Sequence, residues 1–240
     1  VREKLKGTEH AVSKAATALP KSGWLAIVRK AQTLVQQALA QNNHLQAYRH
    51  SRDLVWFTLT FTGCLRKNEC IQLKRHHFKM EPEHNYFKIF IPTTKTSRNG
   101  VTLAIAKQLH SGIDVAAIVR NHFGIMRHLG LSPEANIIGR ARSPSTPLKS
   151  ADSVLTAFRK VYIPAVASEG IKLPADAIWS GHTFRRGGIN AIRDAARAKG
   201  VSDAELQRVL LKYGRWKSPQ TLEKYLVPTN PALATLAQRI

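Results

Sequence analysis

Acidic residues are scarce in this chain. Fifteen Asp and Glu stand against 37 Lys and Arg in 240 residues, giving a formal net charge of +22 and a pI of about 10.6. No carboxylate cluster with metal-ligand spacing and no phosphate-cradling glycine loop is visible. Cysteine is scarcer still. Cys64 and Cys70 are the two present, with neither CxxC nor Cys/His ligand spacing. That excludes an extracellular disulfide scaffold and a zinc module, and leaves two small apolar side chains suited to a reducing compartment. The ten histidines are scattered, and the adjacent His76 and His77 are expected on opposite sides of a strand. No run of about 18 apolar residues offers a membrane span, and the charged opening VREKLKGTEH has no apolar segment of the secretory kind. Internal repeats, low-complexity tracts and long linkers are likewise missing.

What is present is positive charge spread through foldable sequence. A folded domain this basic repels itself unless an anionic partner sits against it. Because the cations are not confined to a tail, a nucleic-acid-binding face is the favoured reading, with an anionic lipid surface or a merely soluble basic protein as alternatives. The apolar share, 43%, is ordinary for a globular domain. A domain near this size buries roughly 70–75% of its unfolded surface and needs no staple.

Helical periodicity dominates. Trp24, Leu25, Ile27, Val28, Ala31, Leu34, Val35, Ala38 and Leu39 recur on one face of a helix over 22–41, and a denser apolar set predicts a buried helix over 45–62 that Gly63 ends. Short aromatic and β-branched runs follow, separated by EPEHN and TKTSRNG, and predict three antiparallel strands at 76–81, 86–93 and 101–106. Further helices are expected at 113–129, at 151–162 where Pro164 stops the chain, and at 183–199. Ser202 and Glu205 form a capping box for a helix over 203–213. Ser218 before Pro219 opens a short helix that should contain Tyr225, and PALATLAQRI offers one last small helix. The expected class is therefore mainly α with a small three-stranded antiparallel sheet (α+β).

Four segments carry chemistry. TGCLRKNEC holds Arg66 and, three residues on, Glu69. TTKTSRNG puts Lys95 at the tip of the second hairpin. GHTFRRGG sets His182 and Arg185 one helical turn apart, and YGRWKSPQTLEKYL places Trp216 nine residues before Tyr225. Each alone has a plain structural reading: Arg66 docked on Glu69, Lys95 as an ordinary hairpin lysine, His182 as a cap, Tyr225 as a core tyrosine. Their ordered combination resembles the tyrosine recombinase (phage integrase) superfamily. The resemblance runs from about residue 50 to 227, strongest between His182 and Tyr225.

That resemblance implies roles. Tyr225 is the nucleophile, Arg66 and Arg185 clamp the scissile phosphate, and Lys95 is the general acid for the leaving 5′ oxygen. His182 shuttles a proton or bonds the phosphate, Trp216 occupies the His-or-Trp position, and Glu69 holds the Arg66 region. The chemistry asks for such residues independently. Guanidiniums offer planar bidentate donors to phosphate oxygens and stay charged at any working pH. A tyrosine of ordinary pKa, near ~10, is ionised only about one time in a thousand at pH 7 and needs a base. A phosphotyrosyl ester preserves the energy of the broken strand, so neither metal nor ATP is required and no cofactor is expected.

Lys74, Arg75, Arg98, Arg140, Arg142, Lys149, Arg186 and Lys217, with Lys79, Arg159 and Lys160, are candidates for DNA backbone contacts. The resemblance further implies double-stranded DNA as partner, a homotetramer on DNA that is a monomer when free, and an intracellular setting, whether bacterial or phage-infected cytoplasm or a nucleus. A type IB topoisomerase and a catalytically inactive DNA-binding module are the alternative functions. Residues 1–240 are expected to be one catalytic domain without the separate helical domain such proteins carry. Within it, 1–45 form an extension and first helix, and 228–240 a tail that docks on a neighbour through Leu233 and Leu236 or packs back on its own domain.

Overall fold

The computed structural model describes residues 16–94 and 97–226; Lys95 and the tail 228–240 lie outside the described residues. Helix α2 (His44–Thr62) is the spine. Asn43 caps it by accepting from the Gln46 amide at 3.0 Å, and every residue from His50 to Phe61 is buried. Around it pack α1 (Lys21–Ala40), α4 (Val115–His128) and α7 (Thr183–Ala198). Aromatic contacts fix these packings. Trp24 of α1 stacks on Phe61 at 4.5 Å, and Phe57 stacks on Phe184 of α7 at 4.9 Å. Each such fully buried side chain contributes about 1.5–3 kcal/mol.

The sheet has the order β1-β2-β3, all antiparallel, from β1 (Phe78–Lys79), β2 (Tyr86–Ile91) and β3 (Val101–Ala106). Phe87 faces Ile105 and Ile89 faces Leu103 in the register, and these four point inward. The strands β1 and β2 are shorter than expected. His76 and His77 belong to a single 3₁₀ turn, Arg75–His77, because the His77 ring bonds back to the Lys74 amide at 3.1 Å; their rings meet edge to face instead of diverging across a strand. Strand β2 stops at Ile91 because Pro92 has no N–H for the ladder. Gly100 must be glycine: its φ is +73°, and a Cβ there would lie 2.5 Å from the Phe90 ring.

Helix α3 (Lys67–Ile71) follows α2 directly. Later in the chain, α5 (Asp152–Ala157) does not end at Pro164. It widens into a π turn, Phe158–Tyr162, and resumes as α6 (Ile163–Ser168) with proline in its first turn. The wider turn removes the clash a proline ring makes with the carbonyl four residues back. Helix α8 (Asp203–Gly214) begins at the Ser202 cap as expected, and α9 (Pro219–Glu223) ends before Tyr225, which sits in the turn just beyond it. Among the described residues no helix is long and apolar enough to cross a membrane.

Candidate active site

After α2 the chain reverses through Gly63 and Cys64. Cys64 is buried and takes a left-handed φ of 47°, and its carbonyl accepts from Arg185 and Arg215. Two residues later Arg66 caps α3. Glu69, 2% exposed, reaches back to the Arg66 amide at 2.8 Å and to its guanidinium at 2.6 Å. A second guanidinium, that of Arg215, reaches Glu69 at 2.7 Å. Burial works to raise the Glu69 pKa, but Arg215 and the two Arg66 groups outweigh it and hold the carboxyl below its ordinary range.

His182 is the residue just before helix α7, whose paired glycines let its backbone touch its neighbours. A Cβ on Gly188 would fall 1.9 Å from the Phe61 carbonyl oxygen, and one on Gly187 2.2 Å from that of Leu19. This close approach carries Arg185 into the interior, where it is fully buried. Its terminal nitrogens donate to the carbonyls of Cys64 and Gly214. Its guanidinium lies 4.3 Å over the Trp216 ring and 5.5 Å from the centre of the Tyr225 ring. Burial first, then the charges of Arg66 and Arg215, push its pKa down to about 10, so it stays protonated at neutral pH.

Gly214 closes α8, and Arg215 adopts φ 57° in the left-handed region. A Cβ on Gly214 would stand 1.7 Å from the Trp216 ring, so glycine here is what lets that ring fold under the helix end. Arg215 also donates to Cys64 O at 2.9 Å and Tyr213 O at 3.1 Å. It ties the turn bearing Trp216 to the turn bearing Arg66. Sequence reasoning passed over Arg215, whose contacts leave no spacing pattern in the sequence. Tyr225 is held by its carbonyl, which accepts from Asn190 Nδ2 at 2.9 Å, and by Trp216, whose ring centre is 4.7 Å from its own. Its hydroxyl is 3.1 Å from His182 Nδ1. His182 is exposed, yet partial removal from water and the charges of Arg185, Arg66, Lys67 and Arg186 lower its pKa. The shift favours the neutral ring, the form that can accept a proton.

These groups border one cleft of about 690 Å³. Arg66, His182, Trp216 and Tyr225 all line it, with Lys67, Arg215 and Lys217 as further cations and Glu69 as the carboxylate. Arg185 is not among the lining residues; it stands behind Trp216. Thr94, the chain neighbour of Lys95, is on the cleft wall. Among the described residues no three His, Cys, Asp or Glu side chains gather as metal ligands.

No protein-family model matches the chain, and no curated protein matches it either. Solved structures do. The XerH site-specific recombinase bound to palindromic difH substrate, a post-cleavage complex, superposes with TM-score 0.61 at 13% identity over 95% of this chain and 53% of its own. XerA recombinase gives 0.58 at 12% identity, covering 95% of this chain and 64% of its own. A lambda integrase dimer bound to a COC′ core site gives 0.50 at 17%, over 88% and 48%. This is the catalytic-domain fold of the tyrosine recombinases. The chain spans about half the length of the XerH and lambda integrase chains it matches.

Within the tyrosine recombinase fold, the expected DNA-contacting cations fall into two groups. Lys217 lines the cleft, Arg186 is half-buried, and Arg98, Arg140, Arg142, Lys149 and Lys160 are exposed. Others are engaged elsewhere. Lys74 pairs with Glu134 at 3.3 Å, Arg75 lies 5.8 Å over the Phe123 ring, Lys79 pairs with Glu81 at 3.2 Å, and Arg159 donates to the Trp179 carbonyl.

Proposed function

We propose that this chain is a site-specific DNA recombinase that breaks and rejoins strands through a phosphotyrosyl bond at Tyr225. The observation that carries the reading is the Tyr225 hydroxyl, 3.1 Å from His182 Nδ1 at a cleft lined by Arg66, Lys67, Arg215 and Lys217. The phenol passes its proton to His182 Nδ1, and its oxygen attacks the phosphorus in line. The bond from phosphorus to the 5′ oxygen breaks, and that oxygen takes a proton from Lys95. The product is a 3′-phosphotyrosyl ester and a free 5′ hydroxyl. Attack by a 5′ hydroxyl from another strand reverses the step, returns the proton to Tyr225 and seals the new junction. Bond types balance on both sides, so no metal or ATP enters.

Charge on the non-bridging oxygens grows in the transition state, and fixed cations aimed at them form the largest catalytic contribution in such sites. Arg66 faces the phosphate directly, oriented by Glu69. Arg185 contributes its charge from behind and holds Trp216 and Tyr225 through their ring faces. Double-stranded DNA is the partner, engaged by four copies of the chain on two duplexes. One observation favours the alternative of an inactive binding module: both terminal nitrogens of Arg185 are taken up by carbonyls. A nicked DNA substrate that loses the short fragment bearing the new 5′ hydroxyl on cleavage separates the readings. The expected result is a covalent protein–DNA adduct, absent in Tyr225→Phe, whose strand transfers to a second duplex. Reversible, salt-sensitive binding without adduct would make the chain a binding module. An adduct that reseals only its own strand would make it a relaxing enzyme.

A further inference from the structure

A second concentration of buried polar groups lies in the middle of α2, away from the cleft. Arg52 and Asp53 are each 1% exposed and pair at 2.5 Å. Apolar residues of similar size often serve an interior as well as a buried ion pair does, so the pair's remaining contact is informative. Arg52 Nη1 donates to the Gly139 carbonyl at 3.1 Å. Tyr48, four residues earlier and on the same face of the helix, accepts from the Gly139 amide at 2.9 Å. Two buried side chains of one helix thus hold both main-chain groups of one loop residue. A Cβ on Gly139 would lie 2.0 Å from the Pro144 carbonyl oxygen and 2.8 Å from the Tyr48 hydroxyl, so the clamp closes only on glycine.

Beyond Gly139 the chain folds back on itself. Gly139 bridges Pro147, the Arg140 amide donates to Thr146 O at 2.9 Å, and the Thr146 amide to Ser143 O at 2.9 Å. The segment entering the turn is fastened too. His122 Nε2 meets the Ile137 carbonyl at 2.7 Å, and Asn136 Nδ2 donates to Ile71 O at 2.8 Å, at the end of the helix that Arg66 begins. On this braced turn Arg140 and Arg142 are exposed, and among the described residues neither enters an ion pair.

We propose that residues 139–147 are a preset contact for the DNA backbone, in which Arg140 and Arg142 meet phosphates outside the cleft and Tyr48 and Arg52 act as positioning residues. The inference rests on DNA being the partner, as proposed above. Phosphate contacts fix an enzyme's register on the duplex, and guanidiniums on a turn that is already ordered lose less freedom on binding than the same groups on a loose loop. Tyr48 and Arg52 carry that order from the hydrophobic centre to the surface.

A double-mutant cycle on equilibrium binding of a duplex, read over a range of salt, tests this. R140A/R142A leaves the interior untouched. It should lower the slope of log affinity against log salt by about 1.8, the release of two phosphate contacts at roughly 0.9 each. Tyr48→Phe keeps the ring but removes the acceptor for the Gly139 amide, and should weaken binding roughly fivefold in the native background. In the R140A/R142A background it should have no further effect. Equal weakening in both backgrounds would mean that Tyr48 acts through general stability, and an unchanged slope in R140A/R142A would remove the turn from the interface; either overturns the proposal. Adduct formation on nicked DNA is read separately: native protein that binds with the expected cycle but forms no adduct refutes strand cleavage and leaves this contact standing. Native protein that binds no DNA refutes both.

Discussion

Glu69→Gln isolates what orienting Arg66 is worth. The carboxylate is 2% exposed and receives three donors: the Arg66 amide at 2.8 Å, the Arg66 guanidinium at 2.6 Å and the Arg215 guanidinium at 2.7 Å. Glutamine keeps one acceptor oxygen and turns an amide nitrogen toward donors, so at least one charged contact is lost. Charge-assisted bonds contribute about 1.5–3 kcal/mol each, and removing one partner of a buried pair costs about 3–5 kcal/mol. Arg66 keeps some water, its side chain being 16% exposed, which argues for the low end, about 3 kcal/mol. For a domain of this size that lowers the melting temperature by roughly 6–12 °C. If most of it is lost from the transition state as well, single-turnover adduct formation slows by about 100-fold. DNA affinity should not fall, since the variant is one unit more positive. Thermal melting, fluorescence anisotropy on a nicked duplex and quenched-flow adduct formation measure the three quantities. A variant that melts lower yet forms adduct at the native rate would refute the orienting role, as would a parallel collapse of affinity.

Gly214→Ala sets a methyl group 1.7 Å from a Trp216 ring carbon. Overpacking of this kind costs about 1–3 kcal/mol, and adduct formation should drop more than DNA affinity; equal losses would count against a local effect on Trp216 and Tyr225. Arg185→Lys cannot serve two carbonyls and two rings together, so a loss of about 2–4 kcal/mol is expected in urea unfolding. An unchanged midpoint would mean those contacts contribute nothing. His122 is buried, and burial lowers its pKa from 6.5 to about 4 against the opposing Ile137 carbonyl bond. Between those values the unfolded chain binds a proton that the folded chain does not, so stability falls as pH drops through this window, by roughly 3 kcal/mol. His50, also lowered to about 4 by burial, works the same way, while Asp53, raised by burial to about 6, works oppositely. His122→Gln should therefore make urea stability less sensitive to acid between pH 6.5 and 4, and an unaltered pH profile would contradict the assignment.

The helices were legible because their apolar spacing states which side faces inward: α1, α2, α4, α7 and α8 fall within a residue or two of the ends read from periodicity and caps. Punctuation was less dependable where a tertiary contact overrode it. Pro164 failed to stop its helix because a π turn made room, and His76 and His77 left the strand because a ring nitrogen found the Lys74 amide. In the site, the order of Arg66, His182, Trp216 and Tyr225 along the chain anticipated residues that share one cleft. The burial of Arg185 was not legible, since nothing in a sequence says which carbonyls a guanidinium will meet. Arg215 escaped for a related reason. Its importance comes from a left-handed turn and a carboxylate 146 positions away, and neither leaves a spacing pattern.

Mapping the covalent bond itself tests the account most directly. Nicked duplex is trapped on the native protein, the complex is digested with protease and nuclease, and the modified peptide is sequenced by mass spectrometry. The expected product is a single nucleotide joined through its 3′ phosphate to the Tyr225 oxygen. A nucleotide joined through its 5′ phosphate, attachment at any other residue, or an equal yield of adduct from Tyr225→Phe would contradict it.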